Sequence, residues 1–160
     1  VGSDKLYNAN SSYKRKLEHL TNSLQLKRVK FINPLFDELK RKKYQESSIT
    51  ILPSYFESFG MTVAESLANA TPVITTTKTP WKNLELKKAG WCVNTGEVSL
   101  TNILNIALNS NMHELKKMGD SGRKWMQEDY SWKTISEMTY NTYLWMQEAI
   151  DKPKWVMTNE

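Results

Sequence analysis

The stretch Ile49-Thr50-Ile51-Leu52-Pro53-Ser54-Tyr55-Phe56-Glu57-Ser58-Phe59-Gly60-Met61-Thr62-Val63-Ala64-Glu65-Ser66-Leu67-Ala68-Asn69-Ala70-Thr71-Pro72-Val73-Ile74-Thr75-Thr76 decides the fold. Its first four residues read as a strand stopped by Pro53. Residues 60–69 read as a helix with Met61, Ala64, Leu67 and Ala68 turned inward, and Thr71-Pro72 then turns the chain into a strand over 73–76. A strand, a helix and a second strand in this order imply a parallel pair with the helix laid over it.

The flanks extend the same alternation. Upstream, Tyr13, Leu17, Leu20 and Leu24 recur at helical spacing over residues 10–25, with Ser11 and Ser12 available as caps. Val29-Lys30-Phe31-Ile32 reads as a short strand, and Asn33-Pro34 opens a second helix whose stripe is Leu35, Phe36, Leu39 and Tyr44. Downstream, a short helix is expected over 81–88, ended by Gly90, and then a strand at Trp91-Cys92-Val93. Leu100, Ile103, Leu104, Ala107 and Leu108 fit the next helix. Two more follow, one carrying Leu115 and Met118 towards Trp125, the other capped by Ser131 and running to about Ile150. The expected fold is α/β, a Rossmann-like parallel sheet with helices on both faces, formed by residues 1–160 as one domain.

The 160 residues carry 22 basic and 17 acidic side chains, and only six Gly and five Pro, which excludes collagenous, low-complexity and disordered chains. Residues 1–47 hold 11 of the basic side chains and five of the acidic ones, so the net charge of +5 sits in the first third. Clusters such as Lys14-Arg15-Lys16 and Lys40-Arg41-Lys42-Lys43 fall at helical spacing away from the apolar positions. They read as solvated helix faces rather than as a nucleic-acid surface, with attraction to an anionic membrane surface as a weaker variant. Cys92 is the single cysteine. It excludes an intramolecular disulfide framework, no apolar run is long enough to span a bilayer, and the expected location is cytoplasmic. His19, His113 and Cys92 make no metal set. Trp125, Trp132, Trp145, Met126, Met138 and Met146 read as packing residues.

Ligands of an open parallel sheet bind beyond the carboxyl ends of its strands, which singles out the loop 53–62. Backbone N–H groups of Phe59, Gly60, Met61 and Thr62 at a helix start attract an anion such as a phosphate. Glu57 and Glu65 flank that start. A carboxylate accepts two hydrogen bonds from a vicinal diol, so the pair could hold both ends of a nucleotide sugar around its diphosphate; the plain alternative is that they are only favourable charges at a helix start.

Leu52 to Ala68, together with Thr71-Pro72-Val73-Ile74, Thr79-Pro80-Trp81 and Gly90-Trp91, closely resembles the retaining glycosyltransferases of family 4, which have the GT-B fold. Val29-Lys30-Phe31 with Pro34-Leu35, and Met118-Gly119 to Tyr130-Ser131-Trp132, extend the resemblance over residues 15–145. It implies the C-terminal, donor-binding half of a two-domain enzyme that moves a hexosyl group from a UDP-, GDP- or ADP-sugar to an acceptor hydroxyl in polysaccharide or glycoconjugate synthesis. Glu57 matches the catalytic-site Glu beside the transferred sugar, and Glu65 the Glu that binds the ribose. Ser58, Phe59, Gly60, Met61 and Thr62 match the segment on the sugar and diphosphate, and Ile32, Asn33, Pro34 and Leu35 the edge of the base. No metal or other cofactor is implied for transfer, and the absence of an Asp-x-Asp agrees with that.

The departures are Ala70 where the family has Gly, which puts either Asn69 or Ala70 in a left-handed conformation, and the absence of the family's Gly-Arg and Lys-Gly elements. The chain is accordingly expected to be an inactive fragment lacking the first strand and the N-terminal acceptor domain, its natural partner, with a peripheral place at the inner membrane face open to the whole enzyme. An epimerase of the same fold and a non-catalytic nucleotide-sugar-binding module are the alternatives.

Overall fold

The computed structural model describes residues 13–157. The chain falls into two units, Val1–Lys42 and Lys43–Glu160. In the first, α1 (Tyr13–Ser23) is the expected amphipathic helix; the proposed caps Ser11 and Ser12 lie outside the described residues. Its apolar stripe is not buried, with Tyr13, Leu20 and Leu24 all exposed. The expected strand at residues 29–32 does not form: Val29, Phe31 and Ile32 are exposed and irregular. A strand exists by pairing, and among the described residues this segment has no ladder partner. Helix α2 (Asp37–Gln45) starts three residues beyond Pro34, where Asp37 and Glu38 favour the helix dipole and Glu38 pairs with Arg41 at 2.7 Å. Phe36 and Leu39 are exposed, so of the expected stripe only Leu35 and Tyr44 are partly covered.

The second unit carries the sheet. Strands β1 (Thr50–Leu52), β2 (Val73–Thr76) and β3 (Gly90–Val93) are parallel in the order β1-β2-β3, with Ile51 opposite Ile74 and Ile74 opposite Trp91. Successive residues of β2 face opposite sides, as a strand requires. Val73 joins Val63, Leu67, Trp81, Leu84, Ala89, Trp125 and Met126 in one cluster, and Ile74 joins Ile103 and Ala107 in the other. The first cluster is roofed by α3 (Met61–Ala68) and α5 (Met112–Asp129), the second by α4 (Glu97–Asn109). Helix α6 (Trp132–Met146) follows, packed on α5. The α/β class and the doubly covered parallel sheet are as read from the sequence.

Several inward faces differ from expectation. In α3 the buried residues are Val63, Ser66 and Leu67, while Met61 and Ala68 are exposed, because Gly60 turns the helix start outward. Leu108 is 75% exposed at the end of α4, one position beyond the buried Ile103–Ala107 stripe. Trp125 and Met126 pack in the core, but Trp132 at 88% and Met146 at 66% stand in the open, since α6 buries no residue. Ser131 caps α6 through Thr134 N–H, and the helix ends at Met146, four residues short of Ile150. Residues 82–88 make turns instead of a helix.

Three helices and that turn region end the same way. After α3, Thr71 N–H donates to Ser66 O and Ala70 N–H to Leu67 O, with Ala70 at φ 58° and Asn69 at −94°. This paired closure normally uses Gly at the left-handed position. Gln25, Lys88 and Glu148 occupy it after α1, the 82–88 turns and α6. Ala70→Gly is therefore expected to raise stability by about 0.5–1 kcal/mol, the left-handed strain of about 1–2 kcal/mol less the added freedom of the unfolded chain. A denaturant melt of the variant checks it; a midpoint at or below wild type would show that Ala70 is unstrained.

Candidate functional site

Residues 53–60 leave the carboxyl end of β1 and are fastened from beneath by β2 and the segment after it. Thr75 Oγ1 donates to Leu52 O at 2.9 Å and Thr76 Oγ1 to Ser54 O, so two buried threonines hold the start of the loop. Trp81 Nε1–H donates to Phe59 O and holds its end. Around Trp81 the rings of Phe59, Trp125 and Tyr130 stand at centroid distances of 5.1, 5.5 and 5.4 Å. Gly60 closes the loop at φ 80°, ψ 62°, and a Cβ there would lie 3.2 Å from Trp81 Nε1, so both conformation and space favour Gly. Helix α3 begins at the next residue without a side-chain cap. The N–H groups of Phe59, Gly60, Met61 and Thr62 find no acceptor among the described residues. They form an open anion-attracting end, as the sequence suggested.

Each carboxylate beside this end is held by a hydroxyl. Ser54 Oγ donates to Glu57 Oε1 at 3.0 Å, and the Tyr44 phenol donates to Glu65 Oε2 at 3.2 Å. Both glutamates are half-buried. Glu57 precedes the helix, and Glu65 lies one turn into it, about 6 Å along the axis from Met61 at 1.5 Å per residue. The Tyr44 pKa is pushed up to about 12 from 10.0, by burial first and then by the charge of Glu65 and the hydrogen bond to it, against a smaller opposing effect of the Thr62 hydroxyl. Between pH 10 and 12 the folded chain keeps a proton that the unfolded chain releases. The stability that this proton brings is full below the lower value and is lost as pH rises through the upper one. In Tyr44→Phe the alkaline fall of the melting temperature across that window should be shallower than in wild type; an unchanged slope would contradict the raised value.

The loop and helix thus bring Glu57, Ser58, Phe59, Gly60, Met61, Thr62 and Glu65 together on one continuous segment of the second unit. Ile32, Asn33, Pro34 and Leu35 belong to the first unit, on irregular backbone ahead of α2. Ser54, Thr75, Thr76 and Trp81 were not singled out as site residues from the sequence, and Tyr44 was read only as part of an apolar stripe. Their partners are 3 to 22 residues away, and no local pattern signals such pairings. Among the described residues no three His, Cys, Asp or Glu side chains converge as a metal ion would need, and no helix is long and apolar enough to cross a membrane.

A parallel sheet with this loop-to-helix site has counterparts among known proteins. The family model for glycosyl transferases group 1 matches residues 1–125. The chain belongs to that family. Among curated members, an MMP alpha-(1->4)-mannosyltransferase of Mycolicibacterium hassiacum is 27% identical over 113 residues, which is 68% of this chain and 27% of the relative. Among solved structures, a sucrose-phosphate synthase of Thermosynechococcus elongatus superposes with a TM-score of 0.74 at 24% identity, over 93% of this chain and 38% of the other. The C-terminal domain of a glycosyl transferase group 1 family protein of Francisella tularensis gives 0.64 at 21% identity, over 75% and 63% respectively. The group 1 chain therefore has the Rossmann-like fold of a GT-B C-terminal domain, and it spans about a quarter of the length of the mannosyltransferase it matches.

Proposed function

We propose that this domain binds the nucleotide-sugar donor of a retaining hexosyltransferase that acts in polysaccharide or glycoconjugate synthesis. The observation that carries the reading is the open start of α3, where four N–H groups without acceptors stand between two hydroxyl-held carboxylates. The diphosphate takes the N–H groups, Glu65 takes the ribose diol and Glu57 the hydroxyls of the sugar. Ile32, Asn33, Pro34 and Leu35 edge the base. When the acceptor hydroxyl attacks on the face the nucleotide leaves, the helix start stabilises the growing negative charge on the departing diphosphate. No metal takes part. The donor is a UDP-, GDP- or ADP-sugar, the acceptor site is carried by an N-terminal domain, and the whole enzyme works in the cytoplasm, peripherally at the inner membrane face. With no Arg or Lys matching the family's diphosphate partners, the 160-residue chain binds nucleoside diphosphate without turning sugar nucleotides over.

A thermal-shift screen with UDP, GDP and ADP and their sugars tests the binding, since a ligand of the folded state raises the melting temperature. For the best binder, Glu65→Ala is expected to remove about 2 kcal/mol, close to thirtyfold in affinity, because two charge-assisted hydrogen bonds to one diol are lost. The 2′,3′-dideoxy analogue should bind wild type weakly and lose little further on mutation. Calorimetric titration decides: an equal cost to parent and analogue would show that Glu65 does not read the diol.

A further inference from the structure

The phenol of Tyr44 is the one hydroxyl placed on Glu65, and it comes from a different element, the last turn of α2. Its backbone is anchored independently of the phenol. Thr71 Oγ1 donates to Tyr44 O at 2.7 Å and Ser47 N–H donates to the same carbonyl at 2.9 Å, which ties this turn to the segment just after α3. Gln45 Nε2 adds a bond to Asn69 Oδ1 at 3.3 Å on the same side. The ring is therefore set by main-chain contacts, and its hydroxyl is left to act on the carboxylate. A glutamate has three side-chain torsions and gains a fixed aim only if something holds its end. One lone pair of Oε2 is used by Tyr44, and the rest of the carboxylate stays available to a diol.

We infer that Tyr44 is a positioning residue that holds the Glu65 carboxylate in the orientation in which it receives a ribose diol. The inference rests on the reading of Glu65 given above. It goes beyond that reading by assigning part of the affinity for a nucleotide to a side chain that touches none of it. Burial keeps the phenol protonated far above neutral pH, so the donor is permanently in place. Prearranging a group in its bound orientation removes an ordering cost from binding.

The test is a double-mutant cycle with Tyr44→Phe, Glu65→Ala and the pair, titrated with UDP, GDP and ADP and with their 2′,3′-dideoxy counterparts. Tyr44→Phe is expected to weaken the preferred nucleoside diphosphate about tenfold, to leave the dideoxy analogue unchanged, and to add nothing in the Glu65→Ala background. A Tyr44→Phe chain that binds the parent as tightly as wild type overturns the inference, provided Glu65→Ala weakens it. Equal weakening of parent and analogue, or failure of the variant to fold in a thermal melt, places the phenol in the support of the fold and overturns it too. If Glu65→Ala itself leaves affinity for the parent unchanged, the ribose reading fails first, and the inference falls with it.

Discussion

Gly119→Ala is expected to cost about 3 kcal/mol of stability, seen as a melting temperature lowered by about 6–12 °C for a domain of this size. Gly119 sits in the middle of α5, where alanine is ordinarily better by about 1 kcal/mol. Here a Cβ would lie 1.9 Å from the carbonyl oxygen of Ala70 and 2.6 Å from its carbon. Those are main-chain atoms of the turn that closes α3, itself bound by Thr71 N–H to Ser66 O and by Ala70 N–H to Leu67 O. Neither side can swing away as a side chain would, so α5 must lift off the turn or the turn must open. Gly122→Ala is the control: its Cβ would meet Leu67 Cδ2 at 2.7 Å, the far end of a side chain with torsions to spare, and less than half the loss is expected. If Gly119→Ala melts with wild type, α5 does not approach the turn this closely.

That contact shows what local sequence carries and what it leaves out. The alternation of strand and helix over 49–76 is legible because each element has its own period and its own punctuation, Pro53 and Thr71-Pro72. The parallel sheet and its two covered faces follow. The closeness of α5 to the α3–β2 turn was out of reach, because Gly119 and Ala70 are 49 positions apart and a mid-helix glycine has several readings. The missing strand at 29–32 is a failure of another kind. Val29, Phe31 and Ile32 have strand-forming character, but a strand needs a neighbour to bond, and none is found among the described residues. Likewise the exposed stripe of α1 has helical spacing without burial. Periodicity reports a face, not what covers it.

At the site, the residues that point outward were legible and the residues that hold them were not. Gly60, Glu57 and Glu65 stand in one short stretch, and their types suggest a helix start with carboxylates beside it. Ser54 and Tyr44 supply the hydroxyls those carboxylates accept, and only the folded chain brings Tyr44 to Glu65 across 21 positions. The Ala70 question had two answers on the page of the sequence. The structure takes the strained one, because Asn69 is used as the helix cap, its amide donating to Glu65 O at 2.9 Å.

Trp81→Ala should have the largest effect on stability and on the site together. Trp81 is 1% exposed and belongs to the cluster that joins Val63, Leu67, Val73, Leu84 and Trp125. Emptying so large a buried side chain costs about 3–5 kcal/mol, a large part of the margin of a domain of this length. A gentler change separates packing from the loop. Trp81→Phe keeps much of the ring contact with Trp125 and Tyr130 but removes the Nε1–H that donates to Phe59 O, the bond that fixes the last turn of the loop before Gly60. Phe59 then keeps its edge contact with the new ring and loses the anchor of its carbonyl. The N–H groups of Phe59 and Gly60 lie on that same stretch, so their aim at an anion loosens while α3 itself remains. Trp81→Phe is expected to stay folded, with about 1–2 kcal/mol lost from the hydrogen bond and partial cavity, and to weaken nucleoside diphosphate binding severalfold. Melting and calorimetric titration of the two variants check it. A Trp81→Phe chain that is destabilised yet binds with wild-type affinity would show that the indole serves the core alone and that Gly60 and the start of α3 hold the loop without it.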